Sequence, residues 1–304
     1  MDQKRNVLAL CVLLAAAGAW AGSCAESAPP TPWSRWTTIG GSRVHYADTA
    51  PGSDLPVLLI LPGFLGSAAA FEAVVEILSR DMRVVIPDLP GFGWSEAPVG
   101  GCAVVDRLEF VEAFTDALDL GPVFLAGSSQ GAILAVRYAV EHAREVRRLV
   151  LLSPFGLEAQ RPVVSRMERY DGMLPLLVLL ACRRILEQEL AKQVRDRGEL
   201  TEKIVASYRR PFRTLDGRRV VVEVSRSLLF EGFLDGCLPQ VTQPTLALAG
   251  TEDAFRCAEI LGALQRGIPS CTTRRLEGCR HILQLDAPAE VAELVGRFCL
   301  AGEP

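Results

Sequence analysis

Val123-Phe124-Leu125-Ala126-Gly127-Ser128-Ser129-Gln130-Gly131-Ala132-Ile133-Leu134-Ala135-Val136 is the stretch that decides the fold. The four apolar residues at its head read as a short buried strand, and the apolar run at its tail reads as a helix. Between them Gly127-Ser128-Ser129-Gln130-Gly131 fits G-x-S-x-G. A serine hydroxyl is a weak nucleophile at neutral pH, so it must be held exposed, beside a base and near donors for an oxyanion. A tight strand-to-helix turn does this, and glycines on either side leave room where the backbone crowds. The five-residue pattern alone is weak and also suits a loop without function. The strand before it and the helix after it give it content and mark Ser129, rather than Ser128, as the exposed tip.

Outward from this turn the chain alternates. Pro56 to Leu61 is a continuous apolar run ending at Pro62-Gly63, and Met82 to Pro87 is a second; such runs read as strands buried on both faces. Ala68 to Leu78 and Val104 to Leu118 read as helices, Val146 to Leu152 as a strand, and Trp36 to His45 as short β segments broken at Gly40-Gly41. After residue 240 the rhythm resumes with a strand at Thr245–Ala249, a helix over Ala254–Leu264, a strand at Thr272–Leu276 and a helix from Ala289 to Leu300. Short apolar strands separated by amphipathic helices predict an α/β fold with a mainly parallel central sheet and flanking helices. From Phe155 to about Gln240 the pattern is helix-like only, which predicts an inserted helical cap, because long connections in compact domains are usually functional. Its apolar run at Leu174 to Ala181 fits the buried face of a cap helix, or a surface turned toward substrate or membrane. The expected organisation is an α/β core over 36–154, a cap over 155–240 and core again over 241–304.

With these segments in place, the chain resembles the α/β-hydrolase superfamily, in its serine esterase and lipase-like branch, from about Trp36 to the C-terminus. In that family the order is nucleophile, acid, histidine. The resemblance places the acid in Gly250-Thr251-Glu252-Asp253, at Asp253, with Glu252 a neighbouring rival and Asp235 a more distant one. Asp253 also suits a helix N-cap ahead of Ala254. Of the three histidines, His45, His142 and His281, only His281 follows the last expected strand and precedes Asp286-Ala287-Pro288 as the family's final loop does. The implied roles are Ser129 as nucleophile, His281 as base and Asp253 as the group fixing its tautomer. The implied oxyanion donors are the N–H groups of Gln130 and of Phe64 in Pro62-Gly63-Phe64-Leu65-Gly66. Relatives usually carry His-Gly where this chain has Pro62-Gly63, which changes the loop but not the main-chain donor. Asp88-Leu89-Pro90-Gly91-Phe92-Gly93-Trp94-Ser95 resembles a recurrent structural segment of the family, with Trp94 expected near the pocket.

The resemblance implies a carboxylesterase or lipase acting on a small or medium-chain ester. Haloalkane dehalogenases and epoxide hydrolases of this fold use an aspartate at the elbow, and Ser129 argues against both. Carbon–carbon bond hydrolases and perhydrolase or haloperoxidase relatives keep the serine triad and stay open. A non-catalytic binding protein on the scaffold is disfavoured because all three triad positions are filled. No cofactor is implied, since Gly91-Phe92-Gly93 lacks the remainder of a dinucleotide fingerprint. No metal is expected either, since C-x-x-C pairs are absent.

The chain's 304 residues are 49% hydrophobic with a formal charge of −4, so a large core is affordable and a basic nucleic-acid surface is not expected. Residues 1–23 have a signal layout: Lys4 and Arg5, an apolar stretch from Val7 to Ala21, then small residues. The apolar stretch falls short of the roughly 20 residues that span a bilayer. Ala19-Trp20-Ala21 suits ordinary cleavage and a freely released protein, whereas Ala21-Gly22-Ser23-Cys24 resembles a lipobox that would lipidate Cys24 and attach the protein to a membrane. Both predict export, to the periplasm, the exterior or the cell envelope, with residues 24–35 as a linker. Removing Cys11 with the signal leaves eight of the nine cysteines, and export permits disulfides whose pairing spacing does not reveal.

Overall fold

The computed structural model of the chain describes residues 31–168, 171–180, 183–230, 233–255 and 257–301. The expected signal over 1–23, the lipidation candidate Cys24 and most of the 24–35 linker lie outside these residues. In chain order the elements are β1 (Ser34–Ile39), β2 (Ser42–Asp48), β3 (Val57–Leu61), α1 (Glu72–Leu78), β4 (Arg83–Pro87), α2 (Val104–Ala117), β5 (Val123–Ser128), α3 (Gln130–Glu141) and β6 (Val146–Leu152). Among the described residues five α-helices follow without a strand: α4 (Arg161–Glu168), α5 (Leu174–Leu180), α6 (Arg183–Ala191), α7 (Glu202–Arg209) and α8 (Leu215–Phe230). The chain then closes with β7 (Thr245–Gly250), α9 (Cys257–Gly267), β8 (Cys271–Leu276), α10 (Leu283–Asp286) and α11 (Pro288–Ala301).

The strands form one eight-stranded sheet in the order β1-β2-β4-β3-β5-β6-β7-β8. β1 and β2 form an antiparallel hairpin through Gly40 and Gly41, both at positive φ, and β2 runs antiparallel to β4. All other pairings are parallel. Alternation along each strand sorts side chains onto two faces. Leu59, Leu61, Leu125, Leu149 and Leu151 pack with Phe110, Phe114, Ile133 and Val136 of α2 and α3. Leu58, Ile60, Phe124, Val150 and Leu246 pack with Val74, Leu78, Val291, Val295 and Phe298 of α1 and α11. Truncating one such side chain, as in Leu125→Ala, costs about 2–5 kcal/mol because the cavity closes only partly.

The helical insertion sits between β6 and β7, over the C-terminal ends of the parallel strands, where open α/β sheets bind ligands. The apolar run of α5 divides two ways. Leu174, Leu177 and Val178 are buried, while Leu176 and Leu179 on the same short helix are half exposed. Among the described residues no helix is long and apolar enough to cross a membrane. Cys102, Cys237, Cys271, Cys279 and Cys299 are all free thiols.

Candidate active site

Ser129 occupies the single residue between β5 and α3, with φ 52° and ψ −116°. A non-glycine residue reaches positive φ only where its surroundings enforce it. Here the Ser129 N–H donates to the Leu152 carbonyl at 2.9 Å, and its own carbonyl accepts from Ala132 at 3.0 Å. The motif glycines explain themselves by close approach. A Cβ on Gly131 would lie 2.0 Å from the Leu61 carbonyl oxygen, and one on Gly127 would lie 2.4 Å from the Gly131 carbonyl. Only glycine lets α3 start this close to β3 and β5.

The structure brings Ser129, His281 and Asp253 together from three loops at the strand ends. Ser129 Oγ is 2.9 Å from His281 Nε2, and His281 Nδ1 is 2.9 Å from Asp253 Oδ2. With Nδ1–H donating to the carboxylate, Nε2 is left to accept from the serine hydroxyl. Asp253 Oδ1 accepts the Phe255 N–H at 2.8 Å. Burial pushes the Asp253 carboxyl pKa upward, but the field and hydrogen bond of His281 and the Phe255 N–H outweigh it, and the net shift is downward. Asp253 therefore stays ionised beside the His281 imidazole. It is not the N-cap of the next helix, because α9 begins only at Cys257. Glu252 points away to an exposed position 3.6 Å from Arg280, and Asp235 accepts the Glu158 N–H, so neither serves His281.

The acid and histidine loops are stitched to each other by Glu252 N–H to the Cys279 carbonyl at 2.9 Å and by Gly278 N–H to Thr251 Oγ at 3.0 Å. Gly250 permits this, since a Cβ there would meet the Cys279 carbonyl at 2.2 Å. Gly63 performs the same service for the β3 loop: a Cβ would lie 3.1 Å from Ser129 Cβ. Phe64 and Gln130 both line the space in front of Ser129. Gln130 opens α3, where no preceding turn offers its N–H a carbonyl.

That space is a cavity of about 200 Å³ between the sheet and the insertion. Its wall is overwhelmingly apolar, with Phe71, Phe155, Val178, Leu186, Leu190 and Phe212 among its residues. Among the described lining residues the ionisable side chains besides His281 and the Tyr208 phenol are Asp171 and Glu189, with no Lys or Arg. Asp171 is paired with Arg226 at 2.7 Å and Glu189 with Lys192 at 2.6 Å. No cluster that could hold a metal ion occurs among the described residues.

A second histidine, which the sequence left without a role, is equally well furnished. His45 Nδ1 is 2.9 Å from Asp88 Oδ2 and His45 Nε2 is 2.9 Å from Ser34 Oγ. Asp88 also accepts the N–H groups of Ala68 and Trp94, each at 2.8 Å. The Trp94 ring packs against His45, with centroids 5.9 Å apart, and does not line the cavity. This corrects the expectation that Trp94 lies near the pocket. The reason is Gly93, whose positive φ turns the following residue back toward Asp88.

Comparison with known proteins agrees with this architecture. The family model described as alpha/beta hydrolase fold matches residues 56–288. Haloalkane dehalogenase 2 of Mycobacterium tuberculosis is 27% identical over 274 residues, covering 87% of this chain and 94% of that protein. The 2-hydroxymuconate semialdehyde hydrolase of a Pseudomonas species is 28% identical over 276 residues, covering 85% and 90%. The crystal structure of a membrane phospholipase A superposes with a TM-score of 0.70 at 23% identity, covering 88% of this chain and 85% of that one. The chain belongs to the α/β-hydrolase fold family.

Proposed function

We propose that the protein is a serine carboxylesterase or lipase-like hydrolase that cleaves a neutral ester of small or medium acyl length through an acyl-enzyme on Ser129. The observation that carries this reading is the hydrogen-bonded line Ser129–His281–Asp253 opening onto an apolar cavity. Ser129 Oγ attacks the ester carbonyl while His281 Nε2 takes its proton, and the charge on the carbonyl oxygen falls to the N–H groups of Phe64 and Gln130. His281 then returns the proton to the departing alcohol, and water, activated by the same imidazole, releases the acid.

Relatives of different chemistry are sorted by two features of this chain. A serine stands at the elbow, where the dehalogenases of this fold use an aspartate. The semialdehyde hydrolase relative speaks for carbon–carbon cleavage of an anionic substrate. The described lining here offers such an anion two carboxylates and no cation, and an uncompensated charge enters an apolar site at a cost of several kcal/mol. A neutral ester meets no such penalty.

The test is hydrolysis of p-nitrophenyl butyrate and octanoate by the purified protein beside Ser129→Ala. Turnover that vanishes in the variant supports the reading, and the preference between the two esters measures the acyl side of the cavity. A wild type as inert as the variant on both esters rules out simple ester hydrolysis.

A further inference from the structure

Two segments far apart in sequence are locked together behind the catalytic histidine. The first runs from the last residue of α6 into the turn beyond it, residues 191–196 of the cap. The second is the loop from Arg280 into α10. The Gln193 carbonyl accepts two N–H groups, those of His281 and Ile282, each at 3.1 Å. Asp286 is buried, and its carboxylate bridges the two segments. One oxygen accepts the Arg195 N–H at 2.7 Å and the other accepts the Arg280 N–H at 2.6 Å. The Arg195 guanidinium donates to the Asp286 carbonyl at 2.8 Å. The Arg280 guanidinium donates back into the cap, to the carbonyls of Val194 at 3.0 Å and Ala191 at 3.4 Å. The Ala191 carbonyl closes the C-terminal end of α6, where a cation is favoured, and Val194 follows in the turn beyond it. This stretch and the last turn of α6 before it place Gln193, Glu189 and Leu190 on the cavity wall.

We infer that Asp286 and Arg280 are positioning residues for His281, and that through them the 189–196 wall of the cavity and the catalytic base form one rigid unit. Asp253 fixes only the rotation and tautomer of the imidazole. The Thr251–Glu252 turn holds the His281 loop on one side, the Gln193 carbonyl holds its backbone from the cap, and Asp286 and Arg280 keep that carbonyl in place. Both Asp286 oxygens are satisfied by main-chain donors, an arrangement stronger than a neutral hydrogen bond and intolerant of an amide, whose NH₂ would confront one of the two N–H groups. It follows that the cap does not lift at this end, and any widening of the cavity takes place along α5 and α8.

This inference rests on Ser129 being the nucleophile but not on the substrate being an ester, so its test reads phosphonylation of Ser129 by a fluorophosphonate, with rate constants normalised to titrated sites. For Asp286→Asn the rate constant per site is expected to fall about 10–100-fold, the scale of a misplaced catalytic group. The KM for p-nitrophenyl butyrate should stay near the wild-type value, and Asp286→Glu should recover part of the rate. Arg280→Lys, a milder change at a partly exposed position, is expected to show a smaller fall of about 3–10-fold with the same pattern. Wild-type rate constants per titrated site in both Asp286→Asn and Arg280→Lys would overturn the inference, whatever their melting temperatures, since a merely structural role lowers the number of active molecules and not their speed. A wild type that takes up no phosphonate overturns it together with the nucleophile assignment. A wild type that reacts but turns over no ester removes only the ester reading.

Discussion

The molecule contains two Ser–His–Asp constellations with the same distances. Ser129–His281–Asp253 and Ser34–His45–Asp88 both show 2.9 Å from hydroxyl to Nε2 and 2.9 Å from Nδ1 to carboxylate. What separates them is everything around those distances. Ser129 is strained at positive φ on a turn facing a cavity, beside Phe64 and Gln130. Ser34 lies in the regular edge strand β1, and its histidine is fully buried under Trp36 and Trp94. Asp253 spends its second oxygen on one N–H, whereas Asp88 gathers Ala68 and Trp94 and so ties two loops to the sheet. The same three-residue geometry thus stands once on a cavity and once inside the fold, and on the proposed reading access to a substrate decides which of the two serves as a relay.

The sharpest way to break this comparison is to remove both hydroxyls in turn. Ser129→Ala should lower kcat by about a millionfold, as loss of a triad nucleophile does. Ser34→Ala should leave turnover within about twofold, since the Ser34 hydroxyl bonds Thr31 and His45 away from the cavity, and each such bond contributes roughly 1 kcal/mol of stability. The carboxylates extend the contrast. Asp253→Asn should cost about 10⁴-fold in kcat by favouring the wrong imidazole tautomer, with little change in folding midpoint. Asp88→Ala should instead destabilise by about 3–5 kcal/mol in urea unfolding, because it strands a buried histidine and two N–H groups, while kcat per titrated site stays near wild type. Gly63→Ala, at 3.1 Å from Ser129 Cβ, should push the β3 loop out of register with the developing oxyanion and lower kcat about 10-fold with KM nearly unchanged.

The smallest effect is on pH dependence. The Asp253 pKa is lowered in the folded protein, so its ionised form stabilises the fold above the unfolded value of about 3.9, and that contribution is lost as pH falls through the folded value. Urea midpoints followed from about pH 6 down to about pH 3 should fall less steeply for Asp253→Asn than for wild type. Parallel curves would mean that the His281 contact does not bias the carboxylate.

What the sequence made legible were features that announce themselves locally. Continuous apolar runs gave β3 and β6 almost to the residue, and the glycines around Ser129 located the elbow. Asp253 and His281 were reachable through the order of motifs along the chain. Local pattern failed where tertiary contacts set the outcome. Ala68–Phe71, expected as the first turn of a helix, is a 3₁₀ turn, with the Ala68 N–H drawn to Asp88. The helix expected from Ala254 begins at Cys257, because Asp253 holds the Phe255 N–H in a turn instead of capping. His45 with Asp88, and Asp286 with Arg195, meet across 43 and 91 positions and leave no periodic trace in the sequence.

The most direct test of the account is intact-protein mass measurement after fluorophosphonate treatment of wild type, Ser129→Ala and Ser34→Ala. One adduct on wild type and on Ser34→Ala, with none on Ser129→Ala, is the predicted result. An adduct that survives in Ser129→Ala, or a wild type that takes up none, would contradict it.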